Sequence, residues 1–353
     1  MRTNVKQNIT IRLLRVLLFP FSVIFFLIVW LKNFLYDKGV LNSVNIGIPV
    51  ISIGNISTGG TGKTPFLIFI AEYFLRKGKN IGIISRGYGR ESKGLILVSD
   101  GINIFKSPKE SGDEVYMIAY KLIKHFNNFT VVSSEDRVKA SYYLIHNHNC
   151  DLILLDDAFQ NRHIFRNLDI VLIDGKKLRN FTERILLPGG NLREPFSSLE
   201  RSDVIIFNNK FNSYNNYIEI FNKYNKPFLI SRYSSENFYN IRDEILNVKD
   251  AIVILFCGIA EPHSFFEVVN KIGLNISNTI IFKDHINYDI SDLNEIANLY
   301  SEEKVFITTE KDFIKILQFK EFIEKYPVYY LKMNIEIESN EIMLNKRLET
   351  LIN

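Results

Sequence analysis

The chain has 353 residues, 46% hydrophobic and 23% charged, an ordinary globular balance that leaves length for two cores. Its formal charge of +4 is uneven: residues 1–40 carry +5 and the remainder −1, so nothing in the body points to nucleic acid. The only cysteines, Cys150 and Cys257, lie far apart in strand-like contexts, which excludes a disulfide framework and makes a reducing cytosol the default.

The first element is an uncharged run, VLLFPFSVIFFLIVWL (16–31), between Arg15 and Lys32, with Trp30 near one end. At ~1.5 Å per residue it covers roughly 24 Å as a helix, short of the ~30 Å hydrocarbon core, and Pro20 is expected to interrupt it. A helix lying in or dipping into the cytoplasmic leaflet fits better than a firm span; a core helix of the folded domain is the competing reading. No small-residue cleavage site follows, so a signal peptide is excluded.

Next comes PVISIGNISTGGTGKTPF (49–66): a short apolar strand, a Gly-rich loop and the opening of a helix on which Phe66, Ile70 and Phe74 recur at helical spacing. It reads as a phosphate-binding P-loop. Backbone N–H groups from Thr58, Gly59, Gly60, Thr61 and Gly62 can wrap a polyphosphate at a helix N-terminus. Lys63 can reach its β/γ-phosphates, and the Thr64 hydroxyl can hold Mg²⁺. Ser57 stands where the strict pattern has glycine.

NIGIISRGYG (80–89) is a second strand running into a polar loop. SGDE (111–114) opens a helix, TVVS (130–133) is a strand, and 137–145 is a helix. DLILLDDAFQ (151–160) puts Asp156 and Asp157 where a buried strand emerges, as in a Walker B strand. Beside the P-loop strand, one carboxylate can hold Mg²⁺, directly or through water, while the other orients a water or a partner. Strands follow at 168–174 and 203–207. The Asn- and Tyr-rich stretch 208–227 marks a connection, and FLISRY (228–233) can form one strand of a linking hairpin. Runs at 251–262, 279–285 and 304–312 repeat the strand-then-polar-loop pattern.

The expected architecture is therefore α/β: a P-loop NTPase-like doubly wound parallel sheet, a second, smaller α/β domain and an N-terminal membrane-associated helix. The expected divisions are 1–40 for the helix, 41–210 for the P-loop domain, 211–240 for the linker and 241–353 for the smaller domain. Arg86, Arg137 and Arg193 recur in strand-end loops, where a guanidinium suits phosphate oxygens as well as a surface ion pair. His285, after Asp284 in such a loop, suits a sheet-edge site or a cap. His146, His148 and Cys150 alternate, but at a helix-to-strand junction this spacing arises without zinc.

Taken together, IGNISTGGTGKTP, SRGYGR, SGDE, EDR, LDDAFQ, LLPGGNLREP, CGIAEPHSFF, FKDHINY and TEKD, in this order behind a basic apolar helix, resemble tetraacyldisaccharide 4′-kinase, the lipid A 4′-kinase family. The resemblance implies transfer of the ATP γ-phosphate, with Mg²⁺, to the 4′-hydroxyl of an acylated glucosamine disaccharide 1-phosphate. It places that reaction at the cytoplasmic face of the bacterial inner membrane, with no nucleic acid and no obligate protein partner. It implies phosphate and Mg²⁺ roles for Lys63 and Thr64, a Walker B pair in Asp156 and Asp157, and a catalytic dyad in Asp113 and His285. Substrate-side contacts are implied for Arg86, Tyr88, Gly89, Glu114, Arg137, Arg193 and Glu194. Ala158 and Asn161 replace the family's usual Gly and His, Glu261 stands where Asn is common, and Ile286 where a second His is frequent. The competing class is a membrane-associated P-loop switch of the partitioning type, which typically carries a Lys at the place of Thr58; a soluble small-molecule kinase would not need the N-terminal helix.

Overall fold

The strand under the Gly-rich loop, β1 (Val50–Asn55), is buried along its whole length and lies inside a twelve-stranded sheet. The computed structural model describes residues 2–175, 184–210, 219–248 and 251–352. Ahead of β1 lies α1 (Arg2–Asp37). After it come α2 (Lys63–Arg76), β2 (Ile81–Ser85), β3 (Ile96–Ser99), α3 (Pro108–Ser111), α4 (Asp113–Ile123), β4 (Phe129–Ser133) and α5 (Arg137–His148). The chain continues through β5 (Leu152–Asp156), β6 (Leu168–Asp174), β7 (Val204–Lys210), α6 (Glu219–Asn222) and β8 (Phe228–Tyr239). The remainder is β9 (Ile252–Cys257), α7 (Pro262–Ile272), β10 (Asn275–Ile281), α8 (Ile290–Ala297), β11 (Lys304–Thr309), α9 (Glu310–Ile316), α10 (Lys320–Lys325), β12 (Val328–Ile337) and α11 (Glu341–Glu349).

The strand order is β10-β9-β11-β12-β8-β7-β6-β1-β5-β2-β4-β3. Neighbours are parallel except β3 with β4 and β12 with β8, as expected for apolar strands alternating with helices. Parallel strands put their carboxyl ends on one edge, so the loops after β1, β2 and β5 open together there.

The two halves of the sheet meet where β8 runs antiparallel to β12, from Ser231 opposite Ile337 to Tyr239 opposite Tyr330. The strand expected at 228–233 exists, but its antiparallel partner is β12 far along the chain, so the link is a long-range pair rather than a hairpin. Residues 211–218 of the expected linker lie outside the described residues. The division expected at 241 also crosses a shared core: Ile335 of β12 and Leu344 and Leu348 of α11 pack with Phe66, Ile70 and Ile118 of the first half. These late apolar side chains are buried only by crossing back, which local periodicity does not reveal.

Helix α1 runs unbroken through Pro20, a correction to the expected interruption. A proline removes one amide donor, and the turns on either side persist without it. Residues Arg15–Asp37 are long and apolar enough to cross a membrane by length and composition. The middle of the helix is nevertheless docked on the protein. Ser22 accepts the Gly189 N–H at 2.8 Å, Val29 is buried, and Asn33 donates to Glu194 at 3.2 Å. Its outer face exposes Leu17, Phe21, Ile24, Leu27, Ile28 and Trp30.

Candidate active site

The loop after β1 is shaped by its own hydrogen bonds. Asn55, buried at the end of β1, donates to the Thr61 hydroxyl at 2.8 Å, and Asn208 of β7 donates to the Thr61 carbonyl at 3.0 Å. Gly62 caps α2 with φ of 91°, and a Cβ there would collide with the Asn208 amide, so the position admits glycine. Gly59 and Gly60 are exposed at the crest, while Thr61 and Thr64 are buried. Lys63 opens α2, where unpaired backbone N–H groups and the helix dipole favour an anion.

The acidic pair stands beside this loop because β5 pairs with β1 in a register that sets Asp156 opposite Ile53. Asp156 accepts the Ser85 hydroxyl at 2.7 Å, and its second oxygen, Oδ1, is buried without a hydrogen-bond partner. Burial, together with Glu114 and Asp157 nearby, pushes this carboxyl well above the usual carboxylate range. Asp157 turns out of the strand with φ of 49°. Burial alone would raise its carboxyl as well, but Lys63 at 3.7 Å and a two-point grip by Arg193 at 2.7 and 3.0 Å hold it below the usual range. An orphaned buried carboxylate oxygen on the strand next to the phosphate loop fits a divalent cation. Mg²⁺ takes most of its ligands from phosphates and water, so one or two carboxylates suffice on the protein side.

The loop after β10, in the oppositely running half of the sheet, brings His285 to Asp113. Its Nδ1 lies 3.5 Å from Asp113 Oδ2, and its ring faces Tyr88 with centroids 6.2 Å apart. Asp113 begins α4, whose cap Gly112 lies so close to Gly87 that an added Cβ would come within 2.9 Å of the Gly87 Cα. The SGDE and SRGYG loops are thereby locked together. His285 holds a left-handed φ of 59°, a conformation that costs energy and recurs at functional sites. Lys311 stands 3.1 and 3.2 Å from its ring nitrogens, and Lys315 lies 2.9 Å from Asp113. Burial would raise the Asp113 carboxyl, but His285, Lys315 and Lys311 outweigh it and leave it below the usual range. Glu114, next in α4, is close enough to act electrostatically on both Asp156 and Lys311, so the two constellations adjoin.

The other predicted residues divide into two groups. Arg86, Tyr88 and Gly89 are exposed at the edge, and Arg193 faces Asp157. Arg137 and Glu194 point inward. The Arg137 guanidinium binds the carbonyls of Ser134 and Asp156. Glu194, with no exposed surface, pairs with Arg201 at 2.8 Å and accepts from Asn33 of α1. His146 stacks on Tyr142, His148 lies beside Tyr143, and Cys150 is buried in the core, so this trio is not assembled as a metal site.

A nucleotide loop, paired carboxylates and an adjoining Asp–His pair agree with what comparison finds. The family model described as "Tetraacyldisaccharide-1-P 4'-kinase" (LpxK) matches residues 14–353. The chain belongs to this family. A tetraacyldisaccharide 4′-kinase family relative from Chlorobium chlorochromatii is 34% identical over 96% of this chain and 94% of its own length. One from Aquifex aeolicus is 36% identical over 93% of this chain and 96% of its own. The crystal structure of LpxK from Aquifex aeolicus in complex with ATP superposes with a TM-score of 0.80 at 33% identity, covering 96% of this chain and all of that one.

Within this tetraacyldisaccharide-1-P 4′-kinase family fold, several site residues escaped the sequence reading. Ser85, Asn55 and Asn208 are small polar residues at strand ends, indistinguishable there from ordinary caps. Lys311 and Lys315 carried a signal: four residues apart in TEKDFIK after an apolar strand, they fall on one helix face.

Proposed function

We propose that the protein transfers the γ-phosphoryl group of ATP to the 4′-hydroxyl of an acylated glucosamine disaccharide 1-phosphate. The observation that carries the reading is the meeting of two constellations, one within the first half of the sheet and one, Asp113 with His285, spanning both halves, linked by Glu114 at the start of α4. One suits a nucleotide, the other a hydroxyl proton.

Phosphoryl transfer asks chiefly for positioning and neutralised charge. Backbone N–H groups of residues 59–62 and Lys63 bind the phosphates; the Thr58 N–H, expected among them, is instead donated to the Asn191 carbonyl at 2.8 Å. Thr64, Asp156 and Asp157 would hold Mg²⁺, which when bound screens phosphate charge. Arg193 keeps Asp157 turned toward Lys63. Asp113, held ionised by its cationic neighbours, accepts the proton of the sugar hydroxyl as its oxygen bonds to phosphorus and the bond to the departing ADP breaks; His285 orients and supports Asp113. Arg86, Tyr88, Gly89 and Glu114 line the acceptor side.

The exposed apolar face of α1 supports association with the cytoplasmic leaflet of the inner membrane, the helix lying against the surface because its other face is docked on the protein. That places an acylated acceptor beside the Arg193–Glu194 loop, which α1 touches through Asn33 and Ser22. The test is a kinase assay with γ-labelled ATP, Mg²⁺ and tetraacyldisaccharide 1-phosphate in detergent, with Lys63→Ala beside it. Label in the lipid that vanishes in the variant supports the reading. ATP turnover with unlabelled lipid, despite well-presented acceptor, refutes it in favour of a nucleotide switch.

A further inference from the structure

Helix α9 reaches across the seam between the sheet halves through Glu310 and Lys315, and the second of these stands out. The Lys315 side chain is only 3% exposed. Its Nζ lies 2.9 Å from Asp113 Oδ2, in the first half of the protein, and donates to the Ile286 carbonyl at 2.9 Å, in the second. Asp113 and His285 themselves stand 3.5 Å apart, beyond the range of a good N–H···O hydrogen bond. That contact alone therefore holds their mutual orientation only weakly.

We propose that Lys315 is the positioning residue of the site, a buried ammonium that ties the Asp113 carboxylate to the His285 turn and so assembles the pair across the seam. The inference rests on the phosphotransfer reading for its catalytic consequence, but not for its geometry.

The rest of α9 supports the same turn. Asp312 accepts the Gly258 N–H at 3.0 Å, and the Gly258 carbonyl accepts the His285 N–H at 3.3 Å. Lys311 approaches the imidazole from outside, and Glu310 pairs with Lys121 of α4 at 2.9 Å. Backbone and ring of His285 are thus fixed from α9, and only Lys315 extends the fixation to Asp113. A buried ammonium persists only if paired and hydrogen-bonded, so the carboxylate and the carbonyl each require it and it requires them. The titratable groups facing Asp113 are His285 from the loop after β10 and Lys311 and Lys315 from α9, with Glu114 beside it on α4.

The test uses the full chain with Lys315→Met, which keeps the length and loses the charge. If the variant binds ATP and melts as the wild type does, kcat is expected to fall about 100-fold, the cost of a misplacement near 1 Å, with both KM values within about threefold. The acid limb of its kcat profile is expected to move to higher pH, because Asp113 has lost a cation. Wild-type kcat with an unmoved limb would overturn the proposal. A second measurement stands whether or not that variant folds and whether or not lipid is the acceptor: hydrogen exchange of the ¹⁵N-labelled Lys315 ammonium. Protection in the wild type that disappears in Asp113→Asn supports the tether. Fast exchange in the wild type, or protection unchanged by Asp113→Asn, refutes it. Wild-type protein that labels no lipid while showing this protection sinks the lipid kinase and leaves the tether standing.

Discussion

Arg193 grips Asp157 through two hydrogen bonds of 2.7 and 3.0 Å, so the carboxylate beside Lys63 is already oriented by a planar cation from the neighbouring loop. A lysine cannot reproduce that two-point geometry. Arg193→Lys is expected to lower kcat/KM for ATP by about 10- to 100-fold, the equivalent of ~1.5–3 kcal/mol for a charge-assisted contact. Steady-state kinetics with ATP as the varied substrate checks it; an unchanged kcat/KM would remove Arg193 from the nucleotide side.

Asp156 is expected to oppose stability at neutral pH. Burial holds its carboxyl above the usual range, so the folded state resists its ionisation. The cost is absent in acid, grows as pH rises past the ordinary aspartate range, and is complete above the raised value. In metal-free protein, Asp156→Asn should raise stability at pH 8 by ~1–3 kcal/mol while abolishing Mg²⁺-dependent activity. Denaturant melts at pH 8 and pH 5 check the sign: a gain at pH 5 as large as at pH 8 would contradict it.

Gly62 and Gly60 should respond unequally to alanine. A Cβ on Gly62 meets the Asn208 amide and comes within 2.7 Å of the Tyr233 hydroxyl, on a backbone of positive φ, whereas one on Gly60 meets nothing within 4 Å. Gly62→Ala is expected to cost ~1–3 kcal/mol and most ATP affinity, and Gly60→Ala less than ~1 kcal/mol. Thermal melts with and without ATP measure both.

Lys121 and Glu310 join α4 to α9 at 2.9 and 3.1 Å with little exposure. A double-mutant cycle of Lys121→Met and Glu310→Gln should give a coupling of ~1–2 kcal/mol in stability. Zero coupling would show that the halves are held without this pair.

Trp30, the one tryptophan in the chain, is 52% exposed on α1. Adding liposomes should shift its emission to the blue, and deleting residues 1–31 should abolish flotation with them. Emission unchanged by saturating vesicles would refute interfacial docking.

The phosphate loop, the paired carboxylates and the alternation of strand and helix are written in local sequence. Glycine placement, strand-end acids and apolar periodicity each act over a few residues, and β1, α2 and β5 lie where those signals put them. The inward roles of Arg137 and Glu194 were not legible, because a charged residue in a loop reads the same whether it faces a ligand or a buried carbonyl. Nor was the unbroken α1, since the effect of Pro20 depends on the turns around it.

What the sequence by itself determined is the chemistry available: a polyphosphate-binding turn, carboxylates beside it and an apolar basic-flanked helix ahead. Only the tertiary structure decided how the pieces meet. The β8–β12 pairing joins segments about a hundred residues apart and brings Asp113, His285, Lys311 and Lys315 to one seam. Such contacts depend on long-range strand order and on the burial of paired charges, neither of which leaves a periodic trace in the chain.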